Sequence, residues 1–460
     1  AERDDLASHT SSASTKLIHG GLRYLEHYEF RLVQKALAER EVLLAAAPHI
    51  TWPLRFVLPH EPHLRPAWMI RAGLFLYDHL ARRRRLPASA SLQLAGHVAG
   101  EPLRRAHRRG FVYSDMWVDD ARLVVLNAMD ARERGARIYT RTPCTQIRRN
   151  ADHWIATLGG RHACTVRARA VINAAGPWAD RFLCEASPVR PRHAVRLVKG
   201  SHIIVPRLYE HDYAYIFQNA DRRIVFAIPY EQDYTLIGTT DVEYHGDPAS
   251  VHIDADETSY LCRLASDYFR RSVTPAEVVH TYSGVRPLLE DESSDPSAVT
   301  RDYTLEMDCA GAPLLSVFGG KITTYRRLAE DAMRQLDEAL GQPRAAWTAS
   351  APLPGGDLPN GDPSAFRVQL HARFPQLPPR FIDRIVRCYG TRALRWLGEG
   401  DAKSLGLAIC PGLYEAEVRY LMQEEWALSA EDILRRRSKL ALHLPPDATT
   451  ILDDWIARQT

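Results

Sequence analysis

The sequence predicts an α/β fold with an inserted, mainly antiparallel sheet and a helical C-terminal domain. Three observations carry this. Two strand-to-loop joints, "INAAGPW" and "FGGKITTY", run from β-rich residues through small ones into a helix. Between them, "GSHIIVP", "RIVFAIPY" and "YTLIGTTD" are β-rich, the last two separated by the polar turn "EQD". After the Pro/Gly-rich "PLPGGDLPNGDP", read as a linker, the chain is mostly helical.

The elements follow in order. Phe30, Val33, Leu37 and Leu44 fall at helical spacing, and Pro48 closes that helix. "RPAWMIRAGLFLYDHLARRRRLP" is an apolar helix too short to span a bilayer, interrupted by Arg71 and followed by the run Arg82 to Arg85. In "WVDDARLVVLNAMDARERGARIYT", Asp119 or Asp120 starts a helix, Gly135 ends it, and a short strand is expected next. "PLLSVFGGKITTYRRLAEDAM" is strand, Gly loop, helix. Ser429 and Asp432 form a capping-box-like start to "AEDILRRRSKLAL".

Composition narrows the function. With 460 residues, 45% apolar and 25% charged, the chain has ample material for cores, which excludes disorder and coiled coil. A net charge of +3 does not argue for nucleic acid as a partner. Seven cysteines without C-x-x-C give no metal spacing and point to a reduced, cytoplasmic compartment. No H-E-x-x-H, G-x-S-x-G or P-loop occurs, against zincins, serine hydrolases of that type and Walker NTPases.

The candidate chemistry gathers at the Gly-rich joints. "TSSASTKLIHGGLRYLEHYEF" sets hydroxyls and glycines, suited to close backbone approach, before Arg23 and Tyr24. Arg286, Arg301 and Lys321 recur beside the other loops, as cations for a phosphate or carboxylate. His19 and His202 stand out because they sit beside glycines.

"TSSASTKLIHGGLRYLEHYEFRLVQKALAEREVLL", "VINAAGPWAD", "LVKGSHIIVP", "IGTTDVEYHGDP", "TYSGVRPLLEDE", "TRDYTL" and "SVFGGKITTYRRLAE" closely resemble the flavin-dependent, respiratory (aerobic) glycerol-3-phosphate dehydrogenases, along essentially the whole chain. The resemblance implies an FAD enzyme that oxidises sn-glycerol 3-phosphate to dihydroxyacetone phosphate and passes electrons to membrane quinone. It implies a Rossmann-like FAD-binding domain in parts 1–48, 113–186 and 301–350. It also implies a cap and docking segment at 49–112, a substrate-binding domain at 187–300 and the helical domain at 351–460. Carried over by motif, Ser11, Ser12, Ser14, Lys16, Leu17, Gly176, Gly319, Gly320 and Thr323 lie along the flavin, and Glu2 binds the adenosine ribose. Arg23, Tyr24, Arg286, Arg301 and Lys321 match the substrate pocket, with Arg286 and Lys321 also catalytic and His19 and His202 the candidate bases.

The family opens with a strand and a G-x-G-x-x-G turn; this sequence has no such turn and begins at "AERDDLA". The expectation is therefore a portion of a longer protein. Two alternatives stay open: an oxidase using oxygen, and a cofactor-free remnant that binds without turnover. Trp68 to Leu80 with the arginine run is expected to dock on an anionic membrane surface, placing the protein on the inner face of the cytoplasmic membrane. A homodimer is left open.

Overall fold

The computed structural model describes residues 1–61, 65–104, 109–219, 223–289 and 302–459; of Arg23 and His27 it describes the backbone alone. The opening ribbon makes one 3-10 turn, Thr10–Ser12, and enters β1 (Leu17–Ile18). A second 3-10 turn, Leu22–His27, leads to α1 (Phe30–Ala46). Val33, Leu37 and Leu44 bury the expected face of α1, but Phe30 at its start is 38% exposed. β2 (Thr51–Pro59), α2 (Ala67–His79), β3 (Ala90–Gln93), β4 (Arg109–Val118) and α3 (Asp120–Glu133) follow. Asp119 is the residue that caps α3, accepting the Arg122 N–H at 3.1 Å. Gly135, with φ +95°, directly follows the C-cap Arg134.

The strand expected after Gly135 does not form. Its backbone instead exchanges a few hydrogen bonds with residues 2–4: Glu2 N–H to the Tyr139 carbonyl at 2.7 Å, Arg141 N–H to the Asp4 carbonyl at 2.9 Å, and Thr142 N–H to the Glu2 carbonyl at 2.8 Å. Glu2 donates to Tyr139 and accepts from Thr142, one residue more than a regular parallel ladder spans, so no strand is sustained.

β5 (Cys144–Arg149), β6 (Trp154–Leu158) and β7 (Cys164–Ala168) make a small antiparallel sheet. β8 (Val171–Asn173) runs through the turn Gly176–Trp178 into α4 (Ala179–Ala186). The inserted unit holds β9 (Val195–Pro206), β10 (Ala214–Gln218), β11 (Ile224–Tyr230), β12 (Tyr234–Gly238), β13 (Val242–Glu243), α5 (Ala255–Tyr268) and β14 (His280–Leu289). β15 (Tyr303–Asp308) and β16 (Leu314–Gly319) return the chain to α6 (Tyr325–Ala339); α7 (Pro363–Arg373) and α8 (Pro379–Tyr389) open the helical region.

The large sheet is ordered β1-β4-β2-β10-β11-β12-β9-β13, with β14 also on β9 and β3 on β4. Among the described residues, β2 and β10 are the one parallel pair of this sheet, so the insertion is mainly antiparallel as expected. β8 and β16 pair in parallel with β15 antiparallel beside them, the α/β part of the fold.

The expected linker proves to be a packed seam. Leu353 N–H bonds the Ala46 carbonyl at 2.8 Å, and a Cβ at Gly355 or Gly356 would lie 2.2 Å from the carbonyl of Tyr389 or of Ala46. One apolar core accordingly joins Leu43, Ile50 and Leu126 of the first part to Phe366, Ile385 and Leu421 of the helical region.

Candidate active site

β14 is the floor of the site, and the opening ribbon lies flush on it. Gly284 makes that approach possible: a Cβ there would stand 2.8 Å from the Ala13 Cβ. Thr10 Oγ1 donates to the Val285 carbonyl at 2.9 Å, and the Tyr282 hydroxyl to the Ser14 carbonyl at 2.9 Å. The turn Gly176–Trp178 and the end of β16 pack against the same strand.

Along the ribbon, side chains and backbone face different ways. Asp120 receives the Ser14 N–H at 3.2 Å, the Ser14 hydroxyl at 2.7 Å and the buried Lys16 ammonium at 2.7 Å. Lys16 Nζ also reaches the Ser12 carbonyl at 2.9 Å. Burial lowers the Lys16 pKa, only partly countered by Asp120. The main chain at Ser14 and Lys16 is engaged as well: the Lys16 N–H donates to Ser14 Oγ at 2.9 Å and the Lys16 carbonyl accepts the Val118 N–H at 2.9 Å, so both residues serve to fix the ribbon's path. Ser11 is exposed, Ser12 Oγ donates to the His9 carbonyl at 3.3 Å, and Leu17 is buried opposite Trp117. Glu2 accepts the Asp4 N–H at 3.2 Å.

The far end of the ribbon meets the second Gly loop. Gly319 and Gly320 have φ +73° and +97°, left-handed values that favour glycine. Thr323 Oγ1 accepts the His19 N–H at 3.3 Å, and Lys321 Nζ stands 3.8 Å from the Tyr24 ring centroid. A Cβ at Gly319 would be 3.8 Å from the Pro287 carbonyl, so this loop adjoins the strand that carries Arg286. Gly176, with φ +57°, has no atom within 4 Å of a Cβ position, so the turn is open there. Trp178 beside it is held between Arg3, at 4.3 Å, and His9, at 5.0 Å.

Arg286 is bracketed from the insertion. One guanidinium nitrogen donates to Asp241 and another to Thr239 Oγ1 at 3.1 Å, while Gly200 clears the room, since a Cβ there would sit 2.4 Å from Nη2. His202 is fully buried and stacked on Tyr282 at 4.7 Å. Its Nε2 bonds Thr15 Oγ1 at 2.9 Å, and its Nδ1 has no partner among the described residues. Burial, then Arg286 and Lys16, hold its pKa well below 6.5. A ring so reluctant to protonate is a weak general base at neutral pH.

The structure thus brings Tyr24, His19, Thr323 and Lys321 together and sets Arg286 on the adjoining strand. Arg301 and the side chain of Arg23 lie outside the described residues. Sequence reasoning missed Asp241 and Thr239 as holders of Arg286; the only signal was "TTD" directly after a strand. It read Asp120 as a helix start rather than as the anchor of Lys16. Among the described residues no group of His, Cys, Asp and Glu could hold a metal ion.

A hydroxyl-rich ribbon and two glycine turns, each leading into a helix, fit a flat cofactor with an anionic edge, next to cations for an anionic substrate. That constellation defines a flavin oxidoreductase. A family model described as FAD dependent oxidoreductase matches residues 1–326, and one described as the C-terminal domain of alpha-glycerophosphate oxidase matches residues 346–457.

The chain belongs to the FAD-dependent oxidoreductases and, within them, to the glycerol-3-phosphate dehydrogenase family. It is 55% identical over 460 residues to a glycerol-3-phosphate dehydrogenase of Pseudomonas aeruginosa, which covers 99% of this chain and 89% of that protein. A D-erythritol 1-phosphate dehydrogenase of Brucella abortus is 49% identical, over 99% of this chain and 92% of that one. In fold, the chain matches the glycerol-3-phosphate dehydrogenase from Bacillus halodurans solved with FAD, with a TM-score of 0.76 at 24% identity, over 100% of this chain and 84% of that one.

Proposed function

We propose that this chain oxidises sn-glycerol 3-phosphate to dihydroxyacetone phosphate and delivers the electrons to a membrane quinone. The observation that carries this reading is Arg286, fixed by Asp241 and Thr239 on the strand that adjoins the Lys321–Tyr24 pair. The ribbon at residues 11–17, with Gly176, Gly319, Gly320 and Thr323, would hold FAD. Bound FAD supplies the hydride acceptor for the substrate's secondary carbon and the path onward to quinone.

The remaining work falls to side chains. Arg286, with Arg23 and Arg301, binds the phosphate as a bidentate donor. Lys321, a compact cation, stabilises the alkoxide that develops as the hydroxyl proton leaves. His19, on the ribbon beside Thr323, takes that proton. A dehydrogenated secondary alcohol, a hydride and a proton balance the step.

A second reading, D-erythritol 1-phosphate as substrate, is favoured by the 49% identical relative. Both are polyol phosphates, and chain length discriminates between them. Comparing kcat/KM for the two, with quinone reduction and peroxide formation followed in parallel, tests the assignment. A higher value for glycerol 3-phosphate with quinone reduced supports it. Preference for the longer polyol, or peroxide as the main product, replaces the substrate or the acceptor.

Access to quinone requires a membrane surface. Among the described residues no helix is long and apolar enough to cross a membrane. On α2, Trp68 is 70% exposed and Phe75 57%, on one helix face with Leu76, and Arg82, Arg84 and Arg85 follow, all exposed. This is the pattern of an interfacial helix facing anionic lipid on the inner side of the cytoplasmic membrane. Trp68→Ser/Phe75→Ser should reduce salt-sensitive binding to anionic vesicles without changing the melting temperature; unchanged binding removes α2 from the docking surface.

A further inference from the structure

Away from the candidate active site, a pocket of about 330 Å³ opens where residues 48–53 meet the start of α7 and the middle of α8. Its wall includes His49, which is 1% exposed and whose two ring nitrogens both lack a hydrogen-bond partner among the described residues. Burial, and then the nearby Arg122, push its pKa down to about 3, so the ring is neutral, with one N–H and one lone pair. A buried donor left unpaired is costly. The fold nonetheless makes room for this ring: Cβ atoms at Gly355 and Gly390 would stand 3.3 Å from Nε2 and 3.0 Å from the ring carbon.

The charges around the pocket are unbalanced in one direction. Arg85, Arg367 and Arg387 line it, against a single carboxylate, Asp383. Arg367 is 3.7 Å from Asp383, which also faces His371 at 3.7 Å. The Arg85 guanidinium donates only to the Leu44 carbonyl, at 3.3 Å, and Arg387 lies 4.8 Å from the Trp52 ring centroid. Neither guanidinium forms an ion pair among the described residues, although Glu231 acts on Arg387 electrostatically and Glu41 accepts the Arg85 main-chain N–H at 3.2 Å. The first turn of α7 adds little, because Asp362 already takes the Ser364 N–H at 2.8 Å.

We propose that this pocket is a second anion site, which takes a small phosphate-bearing ligand on Arg85 and Arg387 with His49 donating from its buried wall. A tetrahedral oxyanion supplies both what the guanidinium groups lack and the acceptor that the imidazole N–H lacks. The ligand would bridge Arg85, which is tied to the end of α1 through the Leu44 carbonyl, to α8 and so brace the seam between the first part of the chain and the helical region.

Calorimetric titration of the purified chain with inorganic phosphate tests this, with Arg286→Ala to silence the candidate active site. Phosphate should still bind the Arg286→Ala variant, and adding Arg85→Ala and Arg387→Ala should weaken that binding by about tenfold or more. Both arginines are exposed, and far-UV circular dichroism checks that the variants fold. His49→Asn should weaken binding by a smaller factor. If Arg286→Ala alone abolishes phosphate binding, or the Arg85/Arg387 pair leaves it unchanged, the second site does not exist. The turnover assignment would survive that result.

Discussion

Arg286 is oriented before any substrate arrives, because Asp241 and Thr239 hold two of its guanidinium nitrogens. Its removal should therefore cost transition-state binding rather than folding. Two charge-assisted bonds of about 1.5–3 kcal/mol each correspond to a loss of roughly 10²–10⁴ in kcat/KM for Arg286→Ala. Asp241→Asn keeps an acceptor but loses the charge, and should cost about tenfold. Arg334, 60% exposed on α6, is the control, expected within error of wild type. Arg83, in the arginine run after α2, is unsuitable as a control: it is 23% exposed and donates to the Asp78 carbonyl at 2.9 Å. Steady-state kinetics on the three variants decides the point, and equal values for Arg286→Ala and Arg334→Ala would remove Arg286 from the site. Arg286 itself was legible from its Gly-adjacent motif. Asp241 was not, because the partnership joins residues 45 apart that meet only when β13 and β14 both pair with β9.

The strands β11 and β12 were legible because apolar residues crowd them on either side of a polar turn, and local sequence suffices for that. The same local reading failed where the deciding partner is remote. Residues 137–140 have strand composition but only residues 2–4 to pair with, and "PLPGGDLP" has linker composition but is pinned to Ala46 and Tyr389. Gly284 is likewise silent in sequence; its role appears when β14 meets the ribbon. Alanine there would place a methyl 2.8 Å from the Ala13 Cβ and 3.4 Å from the Ala13 carbonyl oxygen. Because both neighbours are rigid, the ribbon must move, at about 1–3 kcal/mol for an overpacked contact. Gly284→Ala should thus keep its circular dichroism spectrum but purify with less flavin per chain than the unsubstituted protein. Full flavin content in the variant would show that the ribbon's seat on β14 does not shape the cofactor site.

At the scale of the molecule, the helical region grips the same ribbon from the other side. Buried Asp5 takes Arg436 Nε at 2.7 Å and Arg437 Nη2 at 2.7 Å, and Asp432 takes Arg141 at 2.7 Å as well as Arg436 at 2.5 Å. Together with the shared core, this makes the cofactor ribbon and the C-terminal region one cooperative structure. The clamp also sets an acid limit. Burial pushes the Asp432 carboxyl up, but the Leu428 N–H, Arg141 and Arg436 outweigh it and hold it at about 2, against an ordinary value of 3.8. A carboxyl depressed on folding stabilises the native state fully above its unfolded value and loses that contribution as pH falls through its folded one. The stabilisation, on the order of 2 kcal/mol, is therefore present above pH ~4 and lost toward pH ~2. Asp432→Asn should lower the urea midpoint at neutral pH, and the gap from wild type should close across that acid window. Because the ribbon is shared, the variant should also release flavin at lower urea than wild type. A gap that stays constant into the acid window would mean that Asp432 is not ionised in the clamp; flavin release at an unchanged urea concentration would mean that the ribbon does not depend on the C-terminal region.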